Sequence, residues 1–464
     1  MENNADLITA LHNAFKAWYT PKPTETGSLL TDLQLVKLQR KEIAEENVNS
    51  RRLIINEVLL TALDQLSRQN EEASRLLRSR FLDGQTLREV AQTLNTDHHA
   101  VSRQQRIALA ELAEVVGQQE TALRKKLALE MEGHLPPPTY DRLFGVADLQ
   151  AQLVEKLTAV SPPPLIALLG IGGIGKTSLA DAAVRRVIPT FRFDDVAWLR
   201  LEHQTFHGRS RSPEQSLHQI INGLAARIWP DSYRDVGQKQ REVQVRARLK
   251  QTPHLVVIDN LEAEEDTAYL LAHLHDLAGP SKFLLTTRSQ PTGETAVFTL
   301  SLHDLSRSDA EALMRHHAHN LGISLAEATS TDFDAIYRQA GGNPLALKLV
   351  ISQLRDLTLG QILDNLVSQQ GEDVEALYTR IYRRTWDLLT PAARDLLSAM
   401  QTVAEAGADP DYLQSLSDLN DTDFWPAVQL LRQRSLLEAR GTIHQKKYGI
   451  HRLTRTFLQK HVNP

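Results

Sequence analysis

The 464-residue chain has no cysteine, and this absence excludes disulfides, thiolate metal sites and cysteine nucleophiles. It also lacks a long apolar run: the longest candidate, residues 165–169, falls far short of the roughly 18 residues that a bilayer span needs. The N-terminus is acidic and polar, without the basic start and apolar core of a signal peptide. These absences predict a cytoplasmic protein with no membrane partner.

The chain has no excess of basic charge either. Its 52 Lys and Arg residues are outnumbered by 57 Asp and Glu residues, so any contact with nucleic acid must rest on a local patch. Hydrophobic residues make up 42% of the chain, enough for several packed cores. We find no fixed-period repeat and no low-complexity tract, which argues against a solenoid.

The pattern of apolar residues changes twice along the chain. Residues 1–135 have helical periodicity and end at a triple-proline spacer that a helix cannot cross. Residues 139–298 alternate short apolar runs with helical stretches, which predicts a parallel sheet covered by helices on both faces. From residue 299 the pattern is helical again. The predicted strands are 165–169, 196–199, 255–258 and 283–287.

A phosphate-binding motif follows the first of these strands. Residues 170–177 match G-x-x-x-x-G-K-[ST] at every fixed position and precede a good helix start. Glycines let backbone N–H groups curl around a phosphate, and the helix N-terminus adds its positive dipole end. We expect Lys176 to reach the β and γ phosphates of ATP or ADP and Thr177 to ligate Mg²⁺. The residues predicted to bind the nucleotide here are Gly172, Gly173, Ile174, Gly175, Lys176, Thr177 and Ser178.

Two later strands end in charged residues that suit the same site. Asp259 ends the third strand and is expected to hold magnesium, while Arg288 follows the fourth and is expected to sense the γ phosphate. Together with Lys176, they are the predicted catalytic residues. Many fast ATPases place a glutamate where Asn260 stands, and an amide cannot accept a proton from water. Rapid hydrolysis is therefore not expected; Glu262 is a possible substitute base.

The order of these motifs resembles the NB-ARC branch of the STAND signalling NTPases. Downstream, Gly341-Gly342-Asn343-Pro344-Leu345-Ala346-Leu347 is similar to the family's Gly-x-Pro-Leu-Ala-Leu segment, and the segment around His451 is similar to its Met-His-Asp element. Upstream, the segment containing Phe144 and Gly145 resembles the one that lines the adenine pocket. The resemblance implies that Pro344 packs on adenine and that His451 contacts the ADP β phosphate.

The resemblance also implies an architecture and a mode of action. The fold class is multidomain α and α/β, with a P-loop domain at 139–298, a helical lid at 299–368 and a winged helix at 369–464. ADP would hold these closed, and ATP would open them for homo-oligomerisation. Asn260, Arg452 and Val146 depart from the family pattern, which puts the strength of the closed form in question. The C-terminal sensor repeats of the class are absent, so either a partner senses the signal or the chain is a short family type.

The N-terminal region contains a helix-turn-helix pattern at about 76–116 that resembles the bacterial sigma-factor region that reads the −35 promoter element. A short helix at 86–94 and a turn lead to a second helix that Asp97 can cap. Four residues of the second helix are predicted to face the core: Val101, Ala108, Leu109 and Leu112. Four are predicted to face outwards: Ser102, Arg103, Gln105 and Arg106. Of these, Ser102, Arg103 and Arg106 are the candidate contacts to duplex DNA.

Three outputs stay open at this point. In the first, the N-terminal region binds DNA and the protein regulates transcription. In the second, that region recruits a partner protein without touching DNA, for example in bacterial defence or stress signalling. In the third, the chain is an ordinary ATPase whose turnover drives work. Acids and bases are nearly balanced in the N-terminal region, so charge alone does not decide between the first two.

Overall fold

The structure is a computed structural model that describes residues 4–19, 28–40, 48–161, 163–201, 212–230, 233–261, 267–288, 290–291, 295–366, 374–404, 407–441 and 445–462. The chain divides into two compact units, Met1–Glu130 and Met131–Pro464. Among the described residues, no helix is both long and apolar enough to cross a membrane.

All regular secondary structure described in the first unit is helical. Its longest element, α7, runs for 35 residues and begins at the predicted second helix of the helix-turn-helix. The helices are α1 (Asn4–Lys16), α2 (Ser28–Thr31), α3 (Gln34–Arg40), α4 (Val48–Gln69), α5 (Glu71–Leu77), α6 (Leu87–Thr93) and α7 (His98–Glu132), with a π-helical turn at Arg78–Leu82.

Local capping explains where α6 and α7 begin. Thr86 and Glu89 form a reciprocal capping box at the start of α6. Asn95 adopts a φ of 48° in the turn that follows, a conformation that asparagine tolerates better than most residues. Asp97 then accepts hydrogen bonds from the backbone N–H groups of His99 and Ala100, at 2.8 and 2.9 Å, which satisfies two donors at the start of α7.

The apolar face of α7 is buried as the sequence predicts. Val101, Ala108, Leu109 and Leu112 all lie in the core of the first unit. The prediction for Gln105 is wrong: its side chain is buried and accepts a hydrogen bond from Nε of Arg80 at 3.0 Å. A glutamine can turn inwards at an intermediate position because a buried amide needs only a polar partner, which the sequence does not reveal.

The second unit contains a five-stranded sheet in the order β2-β3-β4-β1-β5, with every pairing parallel. The prediction of a parallel sheet between helical regions is therefore confirmed. β5 was not predicted, because its four residues lack a continuous apolar run. The strands are β1 (Leu165–Leu169), β2 (Asp195–Arg200), β3 (His254–Leu261), β4 (Lys282–Thr287) and β5 (Phe298–Ser301).

Helices surround this sheet and continue beyond it. The helices associated with the sheet are α8 (Ala147–Thr158), α9 (Lys176–Val187), α10 (Pro213–Ile228), α11 (Gln238–Gln251) and α12 (Thr267–Leu277). Those that follow β5 are α13 (Arg307–Asn320), α14 (Ser330–Ala340), α15 (Pro344–Gln353), α16 (Leu359–Leu366), α17 (Val374–Asp387), α18 (Pro391–Ala399), α19 (Pro410–Ser417), α20 (Asp421–Gln433) and α21 (Arg452–His461). A hairpin of β6 (Glu438–Gly441) and β7 (Lys446–Gly449) precedes α21.

The helices after β5 share one apolar core with the hairpin. The core extends from Leu305 to Leu458 and includes the aromatic side chains of Tyr378, Tyr382 and Phe457. Because α15 and α17 are fixed in this core, the residues at their ends are held in defined positions towards the sheet.

Candidate nucleotide site

The motif residues form a loop between β1 and α9. Gly173 and Gly175 have φ values of 76° and 104°, which only glycine adopts without strain, and α9 begins at Lys176. The ammonium of Lys176 donates to the backbone oxygens of Gly170 at 2.7 Å and Ile171 at 3.0 Å. The lysine thus lies over its own loop, where a phosphate chain would offer stronger, charged acceptors.

Asp259 lies beside this loop at the end of a buried part of β3. Its Oδ1 accepts hydrogen bonds from the hydroxyls of Thr177 at 2.8 Å and Thr286 at 2.7 Å. Its Oδ2 is buried, has no hydrogen-bond partner in the described part of the chain, and lies 3.5 Å from Nε of Arg200. A hydroxyl and a carboxylate at this separation are the oxygen ligands that Mg²⁺ uses together with phosphate oxygens, so the residues fit that ion.

Arg288 approaches the tip of the loop. A Cβ on Gly172 would lie 3.3 Å from an Nη2 of Arg288 and 3.4 Å from a methyl group of Leu453. The guanidinium of Arg288 therefore lies next to Gly172 of the loop, at the carboxyl edge of the sheet as expected.

Two residues that the sequence did not single out hold the same loop from the helical side. The side chain of Asn343 donates to the backbone oxygen of Gly172 at 3.0 Å, and the hydroxyl of Tyr378 donates to Oδ1 of Asn343 at 2.6 Å. We call Asn343, Tyr378 and Gly172 the P-loop clasp. A Cβ on Gly173 would lie only 2.5 Å from the Tyr378 hydroxyl, so glycine is required there for contact as well as for conformation.

A cavity of about 520 Å³ lies between the loop and the helical part of the second unit. Gly172, Gly173, Gly175 and Lys176 to Ser178 line one wall, and Pro344 and His451 lie in the other. Its cationic side chains outnumber its carboxylates, which suits a polyphosphate. The cations are Lys176, Arg200, Arg288, Lys348 and Lys447, and the carboxylates are Asp181, Asp259 and Glu438.

His451 caps α21 and faces the cavity as a neutral ring. Its Nδ1 accepts a hydrogen bond from the backbone N–H of Leu453 at 3.2 Å, so the neutral ring carries its proton on Nε2. Burial lowers the pKa of His451 to about 4; Glu438 opposes this shift, and the cations of Arg200, Arg288 and Lys176 add to it. An anion in the cavity would raise that pKa again.

Three of the predicted nucleotide contacts do not line this cavity. Ile174 is buried behind the loop. The Phe144 ring lies 5.5 Å from the ring of His316 on α13, and Gly145, at a φ of 64°, leaves no room for a Cβ beside Leu305. Their predicted roles stay predictions. Glu262, the possible substitute base, lies outside the described residues.

The candidate DNA contacts lie at the start of α7 in the first unit. Arg103 and Arg106 are exposed, and Ser102 is half-buried. The apolar side chains of Leu94 and Ile107, on the same two-helix segment, are 51% and 54% exposed.

Comparison with known proteins matches the site to a family. Residues 146–318 match the NB-ARC domain. Disease resistance-like protein DSC1 of Arabidopsis thaliana is 25% identical over 335 residues, which cover 70% of this chain and 26% of that protein. Disease resistance protein RGA4 of Oryza sativa subsp. japonica is 28% identical over 247 residues, which cover 52% of this chain and 22% of that protein. The chain thus spans about a quarter of the length of these curated relatives.

A solved structure shows a weaker similarity. It is the STAND protein with a tetratricopeptide repeat sensor from Pyrococcus horikoshii, with 19% sequence identity and a TM-score of 0.46. The matched region covers 71% of this chain and 44% of that protein's chain. The family match contains the complete phosphate-binding loop, Asp259 and Arg288. Residues 146–318 of this chain therefore form an NB-ARC domain.

Proposed function

We propose that the chain is an ATP/ADP-controlled switch that binds nucleotide with Mg²⁺, stays closed with ADP and opens with ATP to form homo-oligomers. A ligand shifts such an equilibrium only by binding one conformation better than the other. The proposal therefore needs a contact between the nucleotide-binding loop and the parts that move.

The P-loop clasp is the observation that carries this proposal. Asn343 at the start of α15 and Tyr378 in α17 contact the loop at Gly172 and Gly173, two residues of the phosphate-binding motif. A change in the loop that accompanies exchange of ADP for ATP would alter these contacts. Residues 299–368 would act as the lid and residues 369–464 as the clamp that carries His451.

The arrangement of the last helices supports a winged helix at 369–464. Helices α18, α19 and α20 are followed by the β6–β7 hairpin, and residue Ala408 pairs with Tyr448 of that hairpin.

Slow hydrolysis is supported by Asn260, whose amide donates to the backbone oxygen of Leu201 at 3.3 Å. A donating amide does not remove a proton from water.

The first test is the nucleotide that co-purifies with the protein, measured by denaturing it and separating the supernatant by ion exchange. We expect close to one ADP per chain in the wild type and none in Lys176→Ala. Arg246→Gln, which alters an arginine on α11 outside the cavity, serves as the control and should retain ADP. An empty wild-type site with brisk steady-state ATP turnover would instead indicate a cycling ATPase.

For the output, we propose regulation of transcription through α6 and α7. Arg103 and Arg106 lie exposed near the start of the second helix, where guanidinium groups can reach phosphates and guanine edges. The exposed apolar side chains of Leu94 and Ile107 favour the alternative, a protein partner and no DNA contact.

A mobility-shift assay with the full chain and duplex DNA separates these two outputs. If DNA is bound, the double variant Arg103→Ala/Arg106→Ala should weaken binding and reduce the slope of log K against log salt by about 0.9 per lost phosphate contact. Leu94→Ser/Ile107→Ser should leave DNA binding intact. No shift at low salt in any nucleotide state would exclude the transcriptional role.

A further inference from the structure

Arg200 lies against the predicted magnesium ligand, and neither the motif nor the family match assigns it a role. We propose that its guanidinium competes with Mg²⁺ for Asp259, so that the site holds ADP at low magnesium concentration and takes up the metal only when the ion pair is displaced. The proposal rests on the nucleotide and Mg²⁺ binding proposed above.

The sheet places the two residues side by side. β2 and β3 are parallel, and their register pairs Arg200 with Asp259 at the carboxyl edge, where both side chains line the cavity. Nε of Arg200 is 3.5 Å from Oδ2 of Asp259. The Asp259 side chain is 1% exposed and the Arg200 side chain 30%, so solvent screens the pair less than it screens an ion pair on the surface.

The two oxygens of Asp259 have different partners. Oδ1 accepts from the hydroxyls of Thr177 and Thr286, whereas Oδ2 has no hydrogen-bond donor among the described residues and lies 3.5 Å from Nε of Arg200. A divalent cation bound at this carboxylate would lie near the positive charge of Arg200, and neighbouring like charges disfavour each other. Without the metal, the same guanidinium offsets the repulsion between Asp259 and the phosphates of a bound nucleotide.

The test is a titration of Mg²⁺ against binding of a fluorescent ADP analogue, with the metal buffered by EDTA. We expect Arg200→Gln to lower, by about five- to tenfold, the Mg²⁺ concentration that produces half of the change in analogue binding (the Mg²⁺ half-effect). A change of this size is usual for two coupled binding sites. Arg200→Lys keeps the charge and should remain close to the wild type. The control is Arg246→Gln, which removes an arginine of similar exposure from an ion pair with Asp276 outside the cavity.

Each outcome separates this inference from the switch. If the analogue binds the wild type but the Mg²⁺ half-effect is unchanged or raised in Arg200→Gln, the competition is refuted while the switch stands. Weaker metal-free binding in that variant with an unchanged half-effect would assign Arg200 to the phosphates instead and also refute it. If the wild type does not bind the analogue with or without Mg²⁺, the switch and this inference both fail.

Discussion

At the scale of single residues, Asn343 has two tasks that a substitution can separate. Its Oδ1 caps α15 by accepting from the backbone N–H groups of Leu345 and Ala346, and its amide nitrogen donates to Gly172. An aspartate keeps the acceptor of a helix cap but cannot donate. The bond to the nucleotide-binding loop can therefore be removed while the helix start is kept.

We expect Asn343→Asp to accelerate ADP release by about fivefold, because one hydrogen bond contributes about 1 kcal/mol. Stopped-flow displacement of a fluorescent ADP analogue measures this rate. Tyr378→Phe should act in the same direction. Asn420→Asp makes the same change at the cap of α20, away from the loop, and should leave the rate unaltered. An unchanged release rate in Asn343→Asp would mean that the clasp does not control the nucleotide.

The depressed pKa of His451 gives a pH test of its predicted contact with the β phosphate. The pKa is about 4 in the structure, below its ordinary value of 6.5. An adjacent phosphate raises it, so ADP binding takes up a proton and affinity increases as pH falls from 7.5 to 5.5. The gain is about tenfold if the bound ring returns to its ordinary pKa.

The comparison variant is His451→Asn, which keeps a helix cap but cannot be protonated. Calorimetric affinities for ADP at both pH values should show a smaller gain in the variant than in the wild type. The phosphates of ADP titrate in the same window in both proteins, so their contribution cancels. Equal gains in the two proteins would place His451 away from the phosphates.

Residues that act within one motif were predictable, and residues that meet across the fold were not. Lys176 and Thr177 follow from consecutive positions, and Asp259 and Arg288 from the rule that strand ends share an edge. Asn343 and Gly172 are 171 positions apart and meet through packing of the helices after β5. Arg200 next to Asp259 required the strand register, which a sequence pattern does not contain.

At the scale of elements, long apolar runs predicted the four longer strands, while β5 is too short and mixed to stand out. The second helix of the helix-turn-helix pattern was placed correctly at its start, but it continues to Glu132. The periodic apolar face of α7 packs into the core of the first unit only along the first half of the helix. The second half carries exposed side chains such as Leu129, which is 59% exposed.

This division of α7 predicts two different effects on one helix. Leu112→Ala removes a fully buried side chain and should destabilise the first unit by about 2–5 kcal/mol. Leu129→Ala should change stability by less than about 0.5 kcal/mol. Hydrogen exchange of peptides from α4 and the start of α7 reports the first unit separately from the second. A small loss of protection in Leu112→Ala would contradict the observed core.

At the scale of the whole molecule, the switch predicts that assembly depends on the nucleotide. With ADP the chain should elute as a monomer, and with Mg²⁺ and a non-hydrolysable ATP analogue it should form a larger species, measured by light scattering after gel filtration. Arg288→Gln removes the predicted γ-phosphate contact and should stay monomeric in both. An oligomer of the same size with ADP would show that assembly is not under nucleotide control.

The close approach of Tyr378 to Gly173 has a genetic consequence. Any side chain at position 173 would disturb the phosphate loop and its contact with the helical part together, so alleles there should be null. Alleles of Asn343 or Tyr378 disturb only the contact and leave the loop able to take up nucleotide. A screen for constitutively active alleles should therefore recover those two positions and never Gly173.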